Sequence, residues 1–419
     1  MARRLLAGVL LLALLGSVIS GPARAAEITV DQVNLWGTYS YSASPWEINP
    51  DGLGNLIVSD SGGVIWKINP LSGAYTLYDT AISNLSDAHP VSGGYWFTDY
   101  LNGVAFTDMI NSYYWIFEET VIPSPDYSFG ALELDPAGNV WIVEYFGASS
   151  RLYKANKNNE NTATICPLVN AVGDPYYGTY AYDMVENDGY LWFYNYFTDR
   201  IVKLNPVADG NQEYTLEYWA TGVEGEIEGR TIEFDANGNL WISGGGAGTI
   251  LRFNPATKDL DTYSAPLRDY FPGGQLDIPS IEGVTVMGNR IWYADLWGSV
   301  GELDPAASHT STNLTTNTNS IKLKLSSTCA PLTAIKTGNY PSQSGTLPFV
   351  NQPVTLDTTT PGWAVYVLTT SDVLSGINNA QGVVLVSEPN ESSPQLSKLI
   401  RFKPTAAPEF KVFLPLIKH

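Results

Sequence analysis

Apolar and polar positions alternate along most of this chain in runs of about five to eight residues, each bounded by Gly, Asn, Asp or Pro. One pattern recurs: "GNLIVSDSGGVIWKINP" (54–70), "GYWFTDYLNGVAFTD" (94–108), "GNVWIVEYFGASSRLYKAN" (138–156) and "GYLWFYNYFTDRIVKLNP" (189–206). It returns in "GNLWISGGGAGTILRFNP" (238–255), "NRIWYADLWGSVGELDP" (289–305) and, degraded, in "GVVLVSEPNESSPQLSKLIRFKP" (382–404). A large residue marks the middle of the first strand of each copy: Ile57, Trp96, Trp141, Trp192, Trp241, Trp292 and Leu385. The early spacing is about 40–50 residues, the period of a propeller blade. Alternation with turn residues of this kind predicts half-buried antiparallel strands, four to a copy. A lone four-stranded sheet cannot bury both faces, whereas radial packing lets each sheet cover its neighbours. The sequence therefore predicts an all-β, seven-bladed β-propeller, with the tryptophans as packing between blades. The Asn-Pro and Asp-Pro strand ends read as turn chemistry.

The interval from Trp292 to Leu385 is about twice the blade period. It contains "SHTSTNLTTNTNS" (308–320), which reads as a loop or spacer, so an insertion is expected over about 306–356. An eighth blade would require residues 321–350 to hide a decayed copy. "PGWAVYV" (361–367) is available as the first strand of the last blade, and "ITVDQVNLWGTYSY" (28–41) as a strand closing the ring. Residues 26–404 are thus expected to form one propeller domain, followed by a tail, 405–419, readable as an edge strand or an attachment element.

The start of the chain sets the expected compartment. Arg3 and Arg4 precede an apolar run to about Ile19, and Ala23-Arg24-Ala25 offers a small-x-small cleavage site. This is the layout of a secretory signal peptide, residues 1–25, and implies a secreted or cell-surface protein. The formal charge is −20, and removal of Arg3, Arg4 and Arg24 takes it to −23. Such a surface repels nucleic acid and anionic lipid. With no second long apolar segment, a monomer without a transmembrane span in the mature chain is expected. Cys166 and Cys329 are the only cysteines. They could pair after export, but spacing alone does not show whether their backbones approach.

Candidate chemistry stands at the strand ends. Three residues beyond each central residue come Asp60, Asp99, Glu144, Asn195, Gly244, Asp295 and Glu388. In a propeller this loop shares a face with the blade-joining segments, around the mouth of the central channel. A broken ring of oxygen acceptors is expected there, and Asx-type bonding within the turn would equally explain the recurrence. If a cation binds, oxygen-only ligands point to Mg²⁺ or Ca²⁺, with Asp99, Glu144 and Asp295 the candidate ligands. Tyr100, Tyr145, Tyr196 and Trp297 lie beside these acids, and Arg230 and Glu282 come from blade-joining segments. Together they suit a small polar, carbohydrate or peptide ligand.

"GNLW", a short loop and "IxRxNP" resemble the repeat of the streptogramin lyase (virginiamycin B lyase) propellers, over residues 40–305 and 382–404. The resemblance implies a seven-bladed fold. It also implies a site in which a glutamate at the end of a Trp strand helps to hold Mg²⁺. In that family a histidine two residues later serves as base in an elimination that opens a cyclic peptide antibiotic. Glu144 and Asp295 match the carboxylate position, but Phe146 and Trp297 stand where the histidine is expected. Ligand binding at an acidic, aromatic mouth is therefore the leading expectation. A lyase or lactone hydrolase using a carboxylate base and a metal is the alternative, and a structural or adhesive exoprotein a third.

Overall fold

The computed structural model describes the strands and most of their connections between residues 28 and 404. Stretches 1–27, 35–44, 117–128, 145–149, 269–275, 369–382, 387–397 and 405–419, with several shorter loops, lie outside the described residues. The expected signal peptide and C-terminal tail fall there. The chain divides into a small unit, Met1–Thr29 with Lys403–His419, and a large one, Val30–Phe402. Of the small unit only the ends of two strands are described; the large unit is the propeller.

Six blades follow the sequence pattern in order. Blade 1 begins Pro45–Pro50, Leu56–Asp60, Val64–Ile68, Ala74–Asp79, and blade 2 Leu85–Val91, Gly94–Asp99, Gly103–Thr107, Ser112–Ile116. Blade 3 begins Phe129–Leu134, Val140–Glu144, Leu152–Asn159, Thr162–Val169, and blade 4 Met184–Asn187, Tyr190–Asn195, Arg200–Asn205, Glu213–Ala220. Blade 5 begins Ile232–Phe234, Leu240–Ser243, Thr249–Phe253, Asp259–Ser264, and blade 6 Ile281–Met287, Arg290–Asp295, Ser299–Leu303. A seventh sheet joins Val383–Val386 and Lys398–Pro404 with the early strand Ile28–Asn34. The strand expected to close the ring thus takes an outer place in the last blade. Among the described residues there is no α-helix, and no helix is long and apolar enough to cross a membrane.

The tryptophans are buried between sheets. Trp141 and Trp241 are fully buried, and their indole N–H groups each donate to an aspartate six residues earlier, Asp135 and Asp235, at 3.0 Å. Those aspartates open a five-residue turn, D-x-x-G-N. Asp135 Oδ1 accepts from the backbone of Ala137 and Asn139, and both carboxylate oxygens hold the Asn139 amide. The fourth residue, Gly138, has φ 79°, a region that an L side chain rarely adopts. Asp51 and Asp235 build the same turn in blades 1 and 5. Blades 2, 4 and 6 instead join their first two strands through two residues, with Val91 opposite Gly94, Asn187 opposite Tyr190 and Met287 opposite Arg290. On the next strand a cation faces each odd or even tryptophan of the middle blades. Lys154, Lys203 and Arg252 lie 5.2, 5.5 and 5.6 Å from the rings of Trp141, Trp192 and Trp241.

The Thr/Asn-rich insertion is not a spacer. After Leu303 the chain runs backwards around the perimeter, laying one further strand on every blade. Thr310–Asn313 pairs with blade 5, Thr318–Leu325 with blade 4, Ala330–Thr333 with blade 3 and Ile335–Thr337 with blade 2. Gln343–Thr346 then joins blade 1, and Val350–Asn351 pairs with Ile28–Asn34 in blade 7. Val354–Asp357 returns to blade 6, against Trp363–Leu368. That last segment, expected to open blade 7, is instead the fourth strand of blade 6, with Trp363 opposite Leu303. The physical reason is that blade 6 lacks a neighbouring fourth strand until the belt comes home, and Trp363 packs into its core against Tyr293 at 5.5 Å. A disulfide between Cys166 of blade 3 and Cys329, beside the belt strand Ala330–Thr333, answers the question that spacing left open.

Candidate functional site

The first strand of each blade lies innermost, beside that of the next, and acidic side chains tie these strands together. Asn49 donates to Asp87 Oδ1 at 3.0 Å, and Asp87 Oδ2 accepts the backbone N–H of Leu132 at 2.8 Å. Glu133 accepts from Glu186 N, Asp183 from Ile232 N, and Glu233 from Val286 N. These carboxylates thus bracket successive blades around the axis. His89 bridges two of them, with Nε2 3.1 Å from Asp87 and Nδ1 3.4 Å from Glu133. Burial opposes its charge, but the two carboxylates outweigh burial and hold the imidazolium pKa well above its ordinary value. Burial also raises Asp183, with Asp87 and Glu133 adding to the effect, and it pushes Glu233 up to about 7. Sequence reading missed this group. The signal was present: Asp87 and His89 are two apart on a strand, hence on one face.

Ser150, the connection 179–182 and Tyr196 are joined between blades 3 and 4. Glu144 ends the second strand of blade 3 and is buried. Its Oε2 accepts Arg151 N at 2.9 Å, and its Oε1 accepts the Tyr153 hydroxyl. Ser150 O accepts Thr179 N at 3.4 Å, and Tyr180 O accepts Tyr196 N at 3.2 Å. The Tyr196 ring meets Tyr180 edge-on at 3.9 Å and stacks on Tyr182 at 5.2 Å, while Phe197 beside it is 57% exposed. The result is a cluster of three tyrosines, Tyr180 buried and Tyr182 and Tyr196 half-buried, tied to blade 3 through Thr179 and Ser150. Burial pushes the Glu144 carboxyl up to about 7, against the Tyr153 hydrogen bond and buried Arg151, both of which favour its charge. Tyr153 is raised well above its usual range by its own burial and by Glu144.

Asp295, at the equivalent position of blade 6, is fully buried. It accepts Ser280 N at 3.2 Å and the Ser299 hydroxyl at 2.8 Å. Ser280 also donates its hydroxyl to Glu282 at 2.7 Å, so Glu282 and Asp295 share one serine. Asn195 accepts Thr198 N at 3.1 Å, an Asx turn. Glu144, Asn195 and Asp295 therefore all bond to their own hairpins or the adjoining segment. Glu144 and Asp295 stand three blades apart, and among the described residues no three His, Cys, Asp or Glu side chains form a group able to hold a metal ion. The described acids do not by themselves make a cation shell. Tyr196 follows the second strand of blade 4, and Glu282, buried, lies in the first strand of blade 6. The side chain of Asp99, and Tyr100, Tyr145, Arg230 and Trp297, lie outside the described residues.

No protein-family model and no curated protein sequence matches the chain. Among solved structures it is similar to a streptogramin B lyase, at 16% identity and TM-score 0.51, covering 74% of this chain and 98% of the other. It is also similar to a catalytically inactive virginiamycin B lyase from Staphylococcus aureus with quinupristin, at 15% identity and TM-score 0.52, covering 74% and 100%. At such identities the likeness shows the fold, a β-propeller, and nothing finer.

Proposed function

We propose that this is an exported, streptogramin lyase-like propeller that binds a polar ligand, a carbohydrate or a peptide, at the mouth between blades 3 and 4. The observation that carries the reading is the stacked pair Tyr182 and Tyr196, half-buried and backed by buried Tyr180, on a connection that Thr179 ties to Ser150 of blade 3. Aromatic faces take the apolar face of a sugar ring or a peptide side chain, and fixed polar groups nearby set its orientation. Thermal-shift screening of oligosaccharides and cyclic peptides, followed by titration calorimetry, tests the proposal. A ligand found in this way should bind Tyr196→Ala at least tenfold more weakly. Binding unchanged in Tyr196→Ala and Tyr182→Ala would move the site elsewhere.

A second reading, a lyase or lactone hydrolase, is favoured by one observation: Glu144 has the near-neutral pKa of a general base. In that reading Glu144 takes the proton that histidine takes in the family. Mg²⁺ or Ca²⁺ would draw its further oxygens from water or the ligand, because Glu144 and Asp295 lie on separate blades. Turnover of a cyclic depsipeptide or lactone, abolished in Glu144→Gln, supports it; turnover surviving that change removes Glu144 from the chemistry.

A further inference from the structure

The perimeter belt is held unevenly along its length. Before Cys329, Thr318–Leu325 makes a seven-pair ladder with blade 4 and also pairs with Leu168 and Val169 of blade 3. Leu323 is buried there, and Lys322 and Lys324 reach Asp209 at 2.9 Å and Glu213 at 3.3 Å. After Cys329 the belt strands on blades 3, 2, 1 and 7 have only four, three, four and two residues. All of Gln343–Thr346 is exposed, and Leu347 is the buried apolar anchor among the described residues of this stretch. Ordering a residue costs about 1–2 kcal/mol of backbone entropy, while a hydrogen bond returns about 1 kcal/mol net. Strands this short do not stay docked by their own ladders. The Cys166–Cys329 bond sits at the boundary between the two regimes and fixes the weak half at its first residue.

We propose that Cys166–Cys329 is a redox clasp for the second half of the belt. Closed, it keeps the strands from Ala330 to Asn351 on the outer edges of blades 3, 2, 1 and 7. Open, it releases them, and the inner strands of the blades stay folded. Closure removes two protons and two electrons from the thiols, delivered by thiol–disulfide exchange to an external disulfide. The ring's rim is therefore completed only in an oxidising compartment, and a reductant uncovers strand edges able to pair with another chain.

The test uses the full chain under native conditions with and without a water-soluble phosphine. The phosphine becomes its oxide with oxygen from water as each sulfur gains a hydrogen. Once alkylation and mass measurement confirm two free thiols, hydrogen exchange is followed by peptide. Amides of Ala330–Thr333, Ile335–Thr337 and Gln343–Thr346 should exchange at least tenfold faster, while those of Arg200–Asn205 and Thr249–Phe253 keep their protection. Glutathione disulfide should restore the slow exchange. Cys329→Ser, which never closes the clasp, should match the reduced protein. Unchanged exchange in the three belt strands with both thiols free, or their loss of protection together with the inner strands, overturns the proposal.

Discussion

Replacing Glu144 by Gln should make the protein more stable above neutral pH. The side chain is buried, and its carboxyl is pushed from 4.5 up to about 7. The folded state therefore holds this proton more tightly than the unfolded chain does. As pH rises from 4.5 through about 7 the folded state loses stability, and the loss is complete above that window. A shift of this size corresponds to about 3 kcal/mol. Glutamine removes the charge and keeps the geometry: its carbonyl can accept Arg151 N, and its amide can donate to the Tyr153 oxygen. In a chain of this size about 3 kcal/mol moves the melting temperature by roughly 3–4 °C. Calorimetric melting of both proteins from pH 5 to pH 8.5 checks this. The gap should open in favour of Glu144→Gln as pH rises and close toward pH 4.5. Equal melting at pH 8.5, or a variant less stable there, would refute the argument that Glu144 carries an uncompensated desolvation cost.

Asp135→Ala removes the acceptor of the Trp141 indole and of the Asn139 backbone and side chain. A loss of about 3 kcal/mol is expected, measured by denaturant titration, with Asp135→Asn recovering part of it. Leu323→Ala empties a buried position beneath the long belt strand and should cost about 2–4 kcal/mol, with faster exchange confined at first to Thr318–Leu325. Gly229 has φ 55°, and a Cβ there would fall 2.5 Å from the Tyr194 ring. Gly229→Ala should therefore lower stability by about 1–3 kcal/mol, visible as a drop in melting temperature.

Much of this architecture was legible because blades repeat. The central tryptophans of blades 2 to 6 and the Asn-Pro or Asp-Pro ends of blades 1, 4, 5 and 6 marked the repeat, and the structure uses both: Asn254 Oδ1, for example, accepts from Ala256 and Thr257. The D-x-x-G-N turn was equally readable, at Asp51, Asp135 and Asp235, had the residue four places before each Asn been compared. The belt was not. An outermost strand needs no apolar stripe, so Thr310–Asn313 and Gln343–Thr346 show no alternation and are exposed throughout. Their partners are remote, as with Gln343 opposite Leu77. The position of Glu144 at the end of its strand followed from the repeat, but its burial depends on Arg151, Tyr153 and the approach of Thr179 to Ser150. No spacing in the sequence records that convergence.

The alternation of the first turn, five residues in blades 1, 3 and 5 and two in blades 2, 4 and 6, gives the ring a rhythm of two. Its natural module is a pair of blades, so a graft or duplication should exchange pairs, because a single-blade swap sets two like turns side by side. Seven is odd, and the rhythm must break somewhere. The chain places the break in the seventh sheet, assembled from both early and late segments, where no partner blade is owed.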